Sequence, residues 1–305
     1  MRLSRRQFLQ LVGAGTLGIA YLSAAPARAK EARPGGPAPA GILIDIARCI
    51  GCRSCEAACK AYHGFPPGQG VDLGPQAWTF VATRRLRTSR PHMTLGEGSA
   101  HQRTVKVQCM HCLDPACASA CPVGALRKSA AGPVTYDAGR CIGCRYCMVA
   151  CPFQIPRFEW HRPLPRITKC NMCAERQARG RLPACVAACP VQALQFGPRA
   201  ALLAEAARRM RADPGRYVPA VYGAEEAGGT SVLYIADVPF EELGFPVVVR
   251  EPLSAYTWKA LGKIPGVVVG LGATLTAVEA LSRRRRERQE AQAAGLADRS
   301  GGPLP

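Results

Sequence analysis

The stretch Cys141-Ile142-Gly143-Cys144-Arg145-Tyr146-Cys147-Met148-Val149-Ala150-Cys151-Pro152 decides the fold. Its cysteines are spaced C-x2-C-x2-C-x3-C and run into a proline. An earlier stretch, Cys49-Ile50-Gly51-Cys52-Arg53-Ser54-Cys55-Glu56-Ala57-Ala58-Cys59, repeats the spacing and agrees with Cys141 to Cys151 at eight of eleven positions. Two further groups have wider spacing: Cys109, Cys112, Cys117, Cys121, and Cys170, Cys173, Cys185, Cys189. Residues Cys117 to Leu126 agree with Cys185 to Leu194 at seven of ten, and both end Cys-Pro-Val-x-Ala-Leu. These four groups use all 16 cysteines of the chain.

Such spacing has a chemical reason. Three thiolates on one short loop reach three irons of a cubane while the loop amides turn inward to its sulfides. A fourth cysteine, three residues on and entering a helix, points away and serves the other cluster of a pair. The proline after Cys121, Cys151 and Cys189 suits the change of chain direction. Eight disulfides among cysteines three residues apart would be strained. Structural zinc accounts for paired C-x-x-C but needs neither the third x2 step nor the Cys-Pro ending.

Short β-prone runs flank the groups: Ile42-Leu43-Ile44 before the first, Val105-Lys106-Val107 before the second, Val134-Thr135-Tyr136 before the third, and Ala193-Leu194-Gln195-Phe196 after the fourth. A strand, a cysteine loop, a short helix and a returning strand make one half of a two-cluster unit, and four halves make two modules. The expected fold class is therefore α+β, with two interleaved bacterial-ferredoxin-like modules.

The ends of the 305-residue chain account for much of its formal charge of +19. Arg5-Arg6, an apolar Gly/Ala-rich stretch to about Leu22 and Ala27-Arg28-Ala29 read as a twin-arginine export signal over 1–29. Near the other end, Ile264 to Leu281 is apolar, preceded by Trp258-Lys259 and followed by Arg283 to Arg286. That pattern predicts a single transmembrane anchor with the arginines on the cytoplasmic side and the rest of the chain on the periplasmic side of the inner membrane. Charge placed at the ends in this way argues against nucleic acid. Gly13 to Gly18 fits G-x-G-x-x-G but lies in no strand-helix-strand unit, which excludes a nucleotide site.

From about Gly41 to Arg286 the sequence resembles the four-cluster ferredoxin-type subunits of respiratory enzymes, among them the formate dehydrogenase β subunit and the membrane hydrogenase-2 iron-sulfur subunit. The blocks that carry the resemblance are Gln108-Cys109-Met110-His111-Cys112-Leu113-Asp114-Pro115, Cys144 to Phe153, Lys169 to Pro190, Phe196-Gly197 leading into a helix, and Gly228-Gly229-Thr230 before an apolar strand. The resemblance implies four 4Fe-4S clusters with interleaved ligands. Cys49, Cys52 and Cys55 would be completed by Cys189, and Cys170, Cys173 and Cys185 by Cys59. Cys109, Cys112 and Cys117 would be completed by Cys151, and Cys141, Cys144 and Cys147 by Cys121.

The corresponding division is 1–29 signal; 41–60 with 165–200, module I; 61–100, a Gly/Pro/Arg-rich insert; 101–164, module II; 201–255, a C-terminal extension; 256–282, the anchor; and 283–305, a basic tail. The resemblance also implies that the chain is no enzyme on its own. It would pass electrons between a periplasmic catalytic subunit with its small subunit and a membrane cytochrome or quinone-reactive subunit. An export signal carried by this chain itself favours a NiFe hydrogenase partner; a formate dehydrogenase or related molybdoenzyme is the alternative, and a non-conducting metal-binding scaffold is the rival of another class. No catalytic constellation occurs, and no cysteine is left over as a nucleophile. Of the five histidines, His63, His92, His101 and His161 read as packed or surface residues, whereas His111 is placed to tune a cluster. Arg53, Arg145 and Lys169 are candidates to offset cluster charge.

Overall fold

The computed structural model describes residues 38–87, 102–160, 162 and 165–300. The export signal at 1–29 and residues 88–101 lie outside the described residues.

The run Ile42-Leu43-Ile44 forms the centre of β1 (Ala40–Asp45), and all three side chains are buried. A strand covered on both faces reads as a continuous apolar run rather than an alternating one. Strand β8 (Leu194–Pro198) pairs with β1 antiparallel, Ile42 opposite Phe196, and β9 (Val232–Ile235) pairs with it in parallel, Leu43 opposite Leu233. The sheet order is β8-β1-β9. Period-two alternation sends Ile42, Ile44, Val232 and Tyr234 to one face and Leu43, Leu233 and Ile235 to the other. Helix α6 (Arg199–Ala212) covers the second face with Leu202 and Ala206. The first face packs with Cys55, Cys185, Cys49, Cys112 and Cys189. One face of this sheet is thus a helix seat and the other a floor for cysteine loops.

The other elements are short. Helix α1 (Ser54–His63) carries Cys55 and Cys59, α2 (Ala116–Ser119) carries Cys117, α3 (Tyr146–Ala150) carries Cys147, α4 (Ala174–Ala178) follows Cys173, and α5 (Ala184–Ala187) carries Cys185. Helix α1 packs on α5, and α2 on α3. The helix of the first cysteine group therefore meets that of the fourth, and the second meets the third. Around α2 and α3 lie two antiparallel pairs, β4 (Leu126–Lys128) with β5 (Val134–Tyr136) and β6 (Arg157–Phe158) with β7 (Ile167–Thr168). Three of the β-prone runs fall wholly in strands, and the fourth does so from Leu194 on.

Two segments behave differently from their sequence division. The insert expected over 61–100 contains β2 (Phe80–Arg85), which pairs antiparallel along its whole length with β3 (Gln102–Val107). Gly/Pro content hid it, because Phe80-Val81-Ala82 is a short apolar run ending in arginines. The extension over 201–255 supplies β9 to the central sheet. It also supplies a buried ion network: Asp45 Oδ2 accepts from Arg209 Nη1 at 2.8 Å and from Tyr217 Oη at 2.9 Å, and Asp45 is fully buried.

Among the described residues, those from Tyr256 to Ser300 belong to a separate helical unit. Helix α7 (Leu253–Leu261) leads into it, and α8 runs from Ile264 to Ser300. Among the described residues this is the one helical stretch long and apolar enough to cross a membrane. Val267, Val268, Leu271, Leu275, Val278 and Leu281 are exposed on it. Thr274 and Thr276 return their hydroxyls to the Gly270 and Gly272 carbonyls at 2.8 Å, which satisfies both inside the helix. The helix does not end at 282. Arginines favour the helix, and Arg283 pairs with Glu287 one turn on at 3.2 Å, so the basic tail continues it.

Asp45→Ala strips Tyr217 of its partner and halves the pairing of the buried Arg209, so it should cost about 3 kcal/mol in a urea titration followed by circular dichroism. Arg48→Ala removes only the half-exposed member of the same network and should cost under about 1 kcal/mol.

Candidate iron-sulfur centres

The two C-x2-C-x2-C-x3-C loops share one backbone. Each begins after a single 3-10 turn, Ile46–Arg48 or Ala138–Arg140, capped by an aspartate: Asp45 Oδ1 accepts from Arg48 N at 3.2 Å, and Asp137 Oδ1 from Gly139 N at 2.9 Å. Gly51 and Gly143 then adopt φ of 72° and 71°, and Arg53 and Arg145 φ of 58° and 63°, before α1 and α3 begin. Left-handed steps of this kind gather successive N–H groups on the concave side of a loop, which is a receptor for negative charge. The repeat read in the residues is thus a repeat of conformation.

The Cys-Pro endings share a second motif. Gly124, Gln154 and Gln192, each three residues after Cys121, Cys151 and Cys189, all have positive φ and return an N–H to that cysteine's carbonyl at 3.2, 3.0 and 3.3 Å. The turn also offers amides to sulfur, since Ala125 N donates to Cys121 Sγ at 3.2 Å. Burial raises the Cys121 thiol, but the amides of Leu126, Ala125, Val123 and Gly124 outweigh it and bring the group below its ordinary value.

All sixteen cysteines are free, and Cys52 alone is exposed. Their neighbours cross between groups. Cys55 lies within electrostatic reach of Cys49, Cys185 and Cys189, and Cys59 of Cys185 and Cys173. Cys112 and Cys117 each feel Cys109 and Cys151, while Cys147 feels Cys141, Cys144 and Cys121. Cys117, Cys121, Cys141 and Cys147 also pack together with Leu126, Val134, Phe158 and Ile167. Each triad therefore has beside it the last cysteine of another group. Among the described residues no three donors close around a single ion. Thiolates that serve different irons of a cubane stand further apart than those around one zinc.

Electrostatics bear on what these thiols can hold. Burial, reinforced by neighbouring thiols, pushes Cys55 and Cys147 up to about 11 and Cys59 and Cys117 up to about 12; Cys112 and Cys170 move further in the same direction. Without a positive partner these groups stay neutral, so ligation must release protons. Three lysines lie among them. Lys106 is fully buried and donates to Thr79 Oγ1 at 2.9 Å and to Gln108 Oε1. Lys128 donates to His111 O at 2.9 Å and Ser231 Oγ at 3.0 Å, and Lys169 to Val134 O and, at 3.1 Å, Cys170 O. Among the described residues none of the three has a carboxylate partner.

A buried ammonium without an anion is costly. Burial draws Lys106 down, yet Cys185, Cys55, Cys170 and Cys59 outweigh it and hold the ammonium above its ordinary value; burial brings Lys128 down to about 8. Two further groups are unsatisfied. Among the described residues, Gln108 Nε2 and His111 Nε2 are the buried side-chain polar atoms with no hydrogen-bond partner, each costing about 1–3 kcal/mol as it stands. Anionic cubanes fit this interior: they supply the negative charge for the lysines and sulfur acceptors for the two donors.

The sequence candidates sort accordingly. Lys169 is placed to offset cluster charge. Arg53 is spent on buried Glu56 at 3.1 Å and on the Gly70 and Val81 carbonyls, and Arg145 lies over the Phe158 and Trp160 rings, so both fix loops. His63 packs against Trp78 with ring centroids 4.3 Å apart; His92, His101 and His161 lie outside the described residues. Lys106, Lys128 and Gln108 were missed. A lysine in the apolar run Val105-Lys106-Val107 was the available signal.

A 4Fe-4S dicluster domain model matches residues 101–199. The chain is 41% identical over 301 residues to a protein of Nitratidesulfovibrio vulgaris, covering 93% of this chain and 78% of that one. It is 35% identical over 278 residues to the hydrogenase-2 operon protein HybA of Escherichia coli O157:H7, covering 80% and 84%. With the iron-sulfur subunit of the nitrate-inducible formate dehydrogenase of Escherichia coli K12 it shares 36% over 247 residues, covering 76% and 80%.

The paired loops differ in tolerance. A Cβ on Gly51 would stand 2.9 Å from Thr104 Cγ2, whereas one on Gly143 meets the Phe158 ring at an ordinary 3.8 Å. Gly143→Ala should pay only for its left-handed backbone, about 1 kcal/mol, and keep its iron. Gly51→Ala must also displace Thr104, which donates to Cys49 Sγ at 3.5 Å. Iron per chain after purification should fall for Gly51→Ala and not for Gly143→Ala.

Proposed function

Since this chain belongs to the 4Fe-4S dicluster family of iron-sulfur electron-transfer subunits of respiratory oxidoreductases, we propose that it holds four 4Fe-4S clusters and passes electrons between a periplasmic catalytic subunit and a membrane cytochrome or quinone-reactive subunit. The observation that supports the reading is that free thiols of different groups approach one another, Cys55 with Cys189, Cys59 with Cys173 and Cys185, Cys112 and Cys117 with Cys151, and Cys147 with Cys121. The proposed ligand sets are Cys49, Cys52, Cys55 with Cys189; Cys170, Cys173, Cys185 with Cys59; Cys109, Cys112, Cys117 with Cys151; and Cys141, Cys144, Cys147 with Cys121.

Bound cubanes would supply one-electron chemistry at nearly constant geometry. The chain's own residues do the rest. Loop amides turn inward at the left-handed positions, and buried apolar side chains exclude water from all but the most exposed loops. Lys106, Lys128 and Lys169 place fixed positive charge beside the thiolates, which favours the reduced, more anionic state. In this reading the chain conducts electrons and leaves catalysis to its partner subunit.

The catalytic partner we propose is a NiFe hydrogenase. The reading rests on the chain's own twin-arginine signal and on its similarity to a protein named for a hydrogenase-2 operon. A formate dehydrogenase or related molybdoenzyme is the second reading, favoured by a similarity of nearly equal extent. The apolar C-terminal helix would anchor the chain, with Arg283 to Arg286 on the cytoplasmic side and the cysteine-bearing unit on the periplasmic side.

Elemental analysis of the complex extracted anaerobically in mild detergent tests the reading. Iron at the load of four cubanes together with nickel is expected; molybdenum or tungsten in place of nickel would move the partner to the second reading. Zinc without iron, or iron that cannot be reduced and reoxidised, would favour a scaffold and overturn electron transfer. In the same preparation, Cys189→Ala should lower iron by about a quarter, removing the cluster of Cys49, Cys52 and Cys55.

A further inference from the structure

Both unsatisfied donors belong to one pentapeptide, Gln108-Cys109-Met110-His111-Cys112, and they flank Cys109. Each is a donor for a reason that chemistry settles. An ammonium can only donate, so the Gln108 oxygen must face Lys106 Nζ and the amide nitrogen must face elsewhere. A backbone N–H can only donate too. His111 Nδ1 accepts from Val134 N at 2.9 Å, so the imidazole proton sits on Nε2. The acceptor atom of each side chain is thus taken by an obligate donor, and an N–H is left over inside the protein.

The surroundings hold both side chains in place. Lys106 is held at both ends: at its ammonium, Thr79 Oγ1 accepts from it and itself donates to Val107 O at 2.9 Å, and at its backbone Tyr234 Oη donates to the Lys106 carbonyl at 2.9 Å. Gln108 and His111 are almost wholly buried, at 1% and 0% exposure. His111 stands at φ 49°, a left-handed step between two cysteines. Because its Nδ1 accepts from a backbone N–H, the imidazole in this arrangement is neutral and offers a single N–H and no charge. A stretch of chain so constrained does not leave two buried donors empty without a use for them.

We infer that Gln108 Nε2 and His111 Nε2 donate hydrogen bonds to cluster sulfur, and that Lys106 is the positioning residue that turns the Gln108 amide to do so. The inference rests on the cubane reading above and adds to it two side chains outside the cysteine set. An N–H···S bond strengthens as the cluster gains negative charge, so both donors raise the potential of the cluster they touch. The device is local to the second cysteine group. The equivalent positions of the fourth group are Lys169 and Met172, and neither offers a neutral N–H.

The test uses the whole complex, with wild-type iron read first. A wild type without cubane iron would overturn the cubane reading itself, separately from this inference. In iron-loaded protein, redox titrations followed by electron paramagnetic resonance should show His111→Asn and Gln108→Met lowering a cluster's potential. The expected size is a tenfold or greater change in its reduction equilibrium, about 59 mV for one electron. Asparagine tolerates the left-handed backbone and can keep the Val134 bond through Oδ1, while its shorter side chain withdraws the N–H from the Nε2 position; the longer His111→Gln places an N–H there again and should keep the potential near wild type. Where a variant loads no iron, wild-type complex labelled with 15N in histidine and in glutamine side chains decides. Pulsed resonance on the reduced clusters should find a nitrogen coupling from each, and the glutamine coupling should vanish in Lys106→Met. Wild-type potentials in iron-loaded variants, or no coupling from either side chain in the wild type, would overturn the inference.

Discussion

Thiolates can be gathered inside a protein only where positive charge and hydrogen-bond donors are close to them, and this constraint runs through the whole cysteine-bearing unit. As free thiols, Cys55, Cys59, Cys112, Cys117, Cys147 and Cys170 are driven toward the neutral form by burial and by one another. Lys106 and Lys169 are buried, and Lys128 half-buried, beside them with neutral oxygens as partners. Neither set is comfortable alone. Cations without anions and thiols without cations become complementary once iron and sulfide join the thiolates, so loading and stability of this interior are coupled.

The backbone serves the same need by simpler means. Left-handed steps at Gly51, Arg53, Gly143 and Arg145, and again three residues after the cysteine of each Cys-Pro, turn amides toward the space the thiols enclose. Arginine is an expensive residue at such a step. Arg53 is held there by Glu56 and by the Gly70 and Val81 carbonyls, and Arg145 by the rings of Phe158 and Trp160. These arginines stabilise loop shape, while the lysines handle charge. Guanidinium forks and ring stacking suit the first task, and a compact ammonium at the end of a buried stem suits the second.

The central sheet makes the cross-group meetings possible. Strand β1 precedes the first cysteine group and β8 follows the fourth, and their antiparallel pairing draws together segments some 150 residues apart in the chain. The second and third groups close locally through α2 and α3. A wire of clusters needs fixed spacing between its members, and a shared sheet floor with packed short helices provides a stiff frame. The C-terminal helical unit has the length and composition to cross a membrane.

Much of this was legible in the residues. The spacing of the cysteines, their division into two kinds of repeat, the four flanking strands and the apolar C-terminal helix follow from local patterns, because a ligand loop, a strand and a membrane-length helix each leave a signature within about twenty residues. Strand β2 was obscured by the Gly/Pro-rich segment around it, and β9 lay in what read as a separate extension, because strand pairing is decided by distant partners. Likewise Arg53 and Lys169 look equivalent in sequence, yet one is spent on Glu56 and the other is buried beside Cys170. The sequence by itself determined which atoms are available to bind iron. Only the tertiary structure decided which thiols meet, which cations are buried among them, and that Gln108 and His111 each keep a free N–H, since all three depend on contacts between segments far apart in the chain.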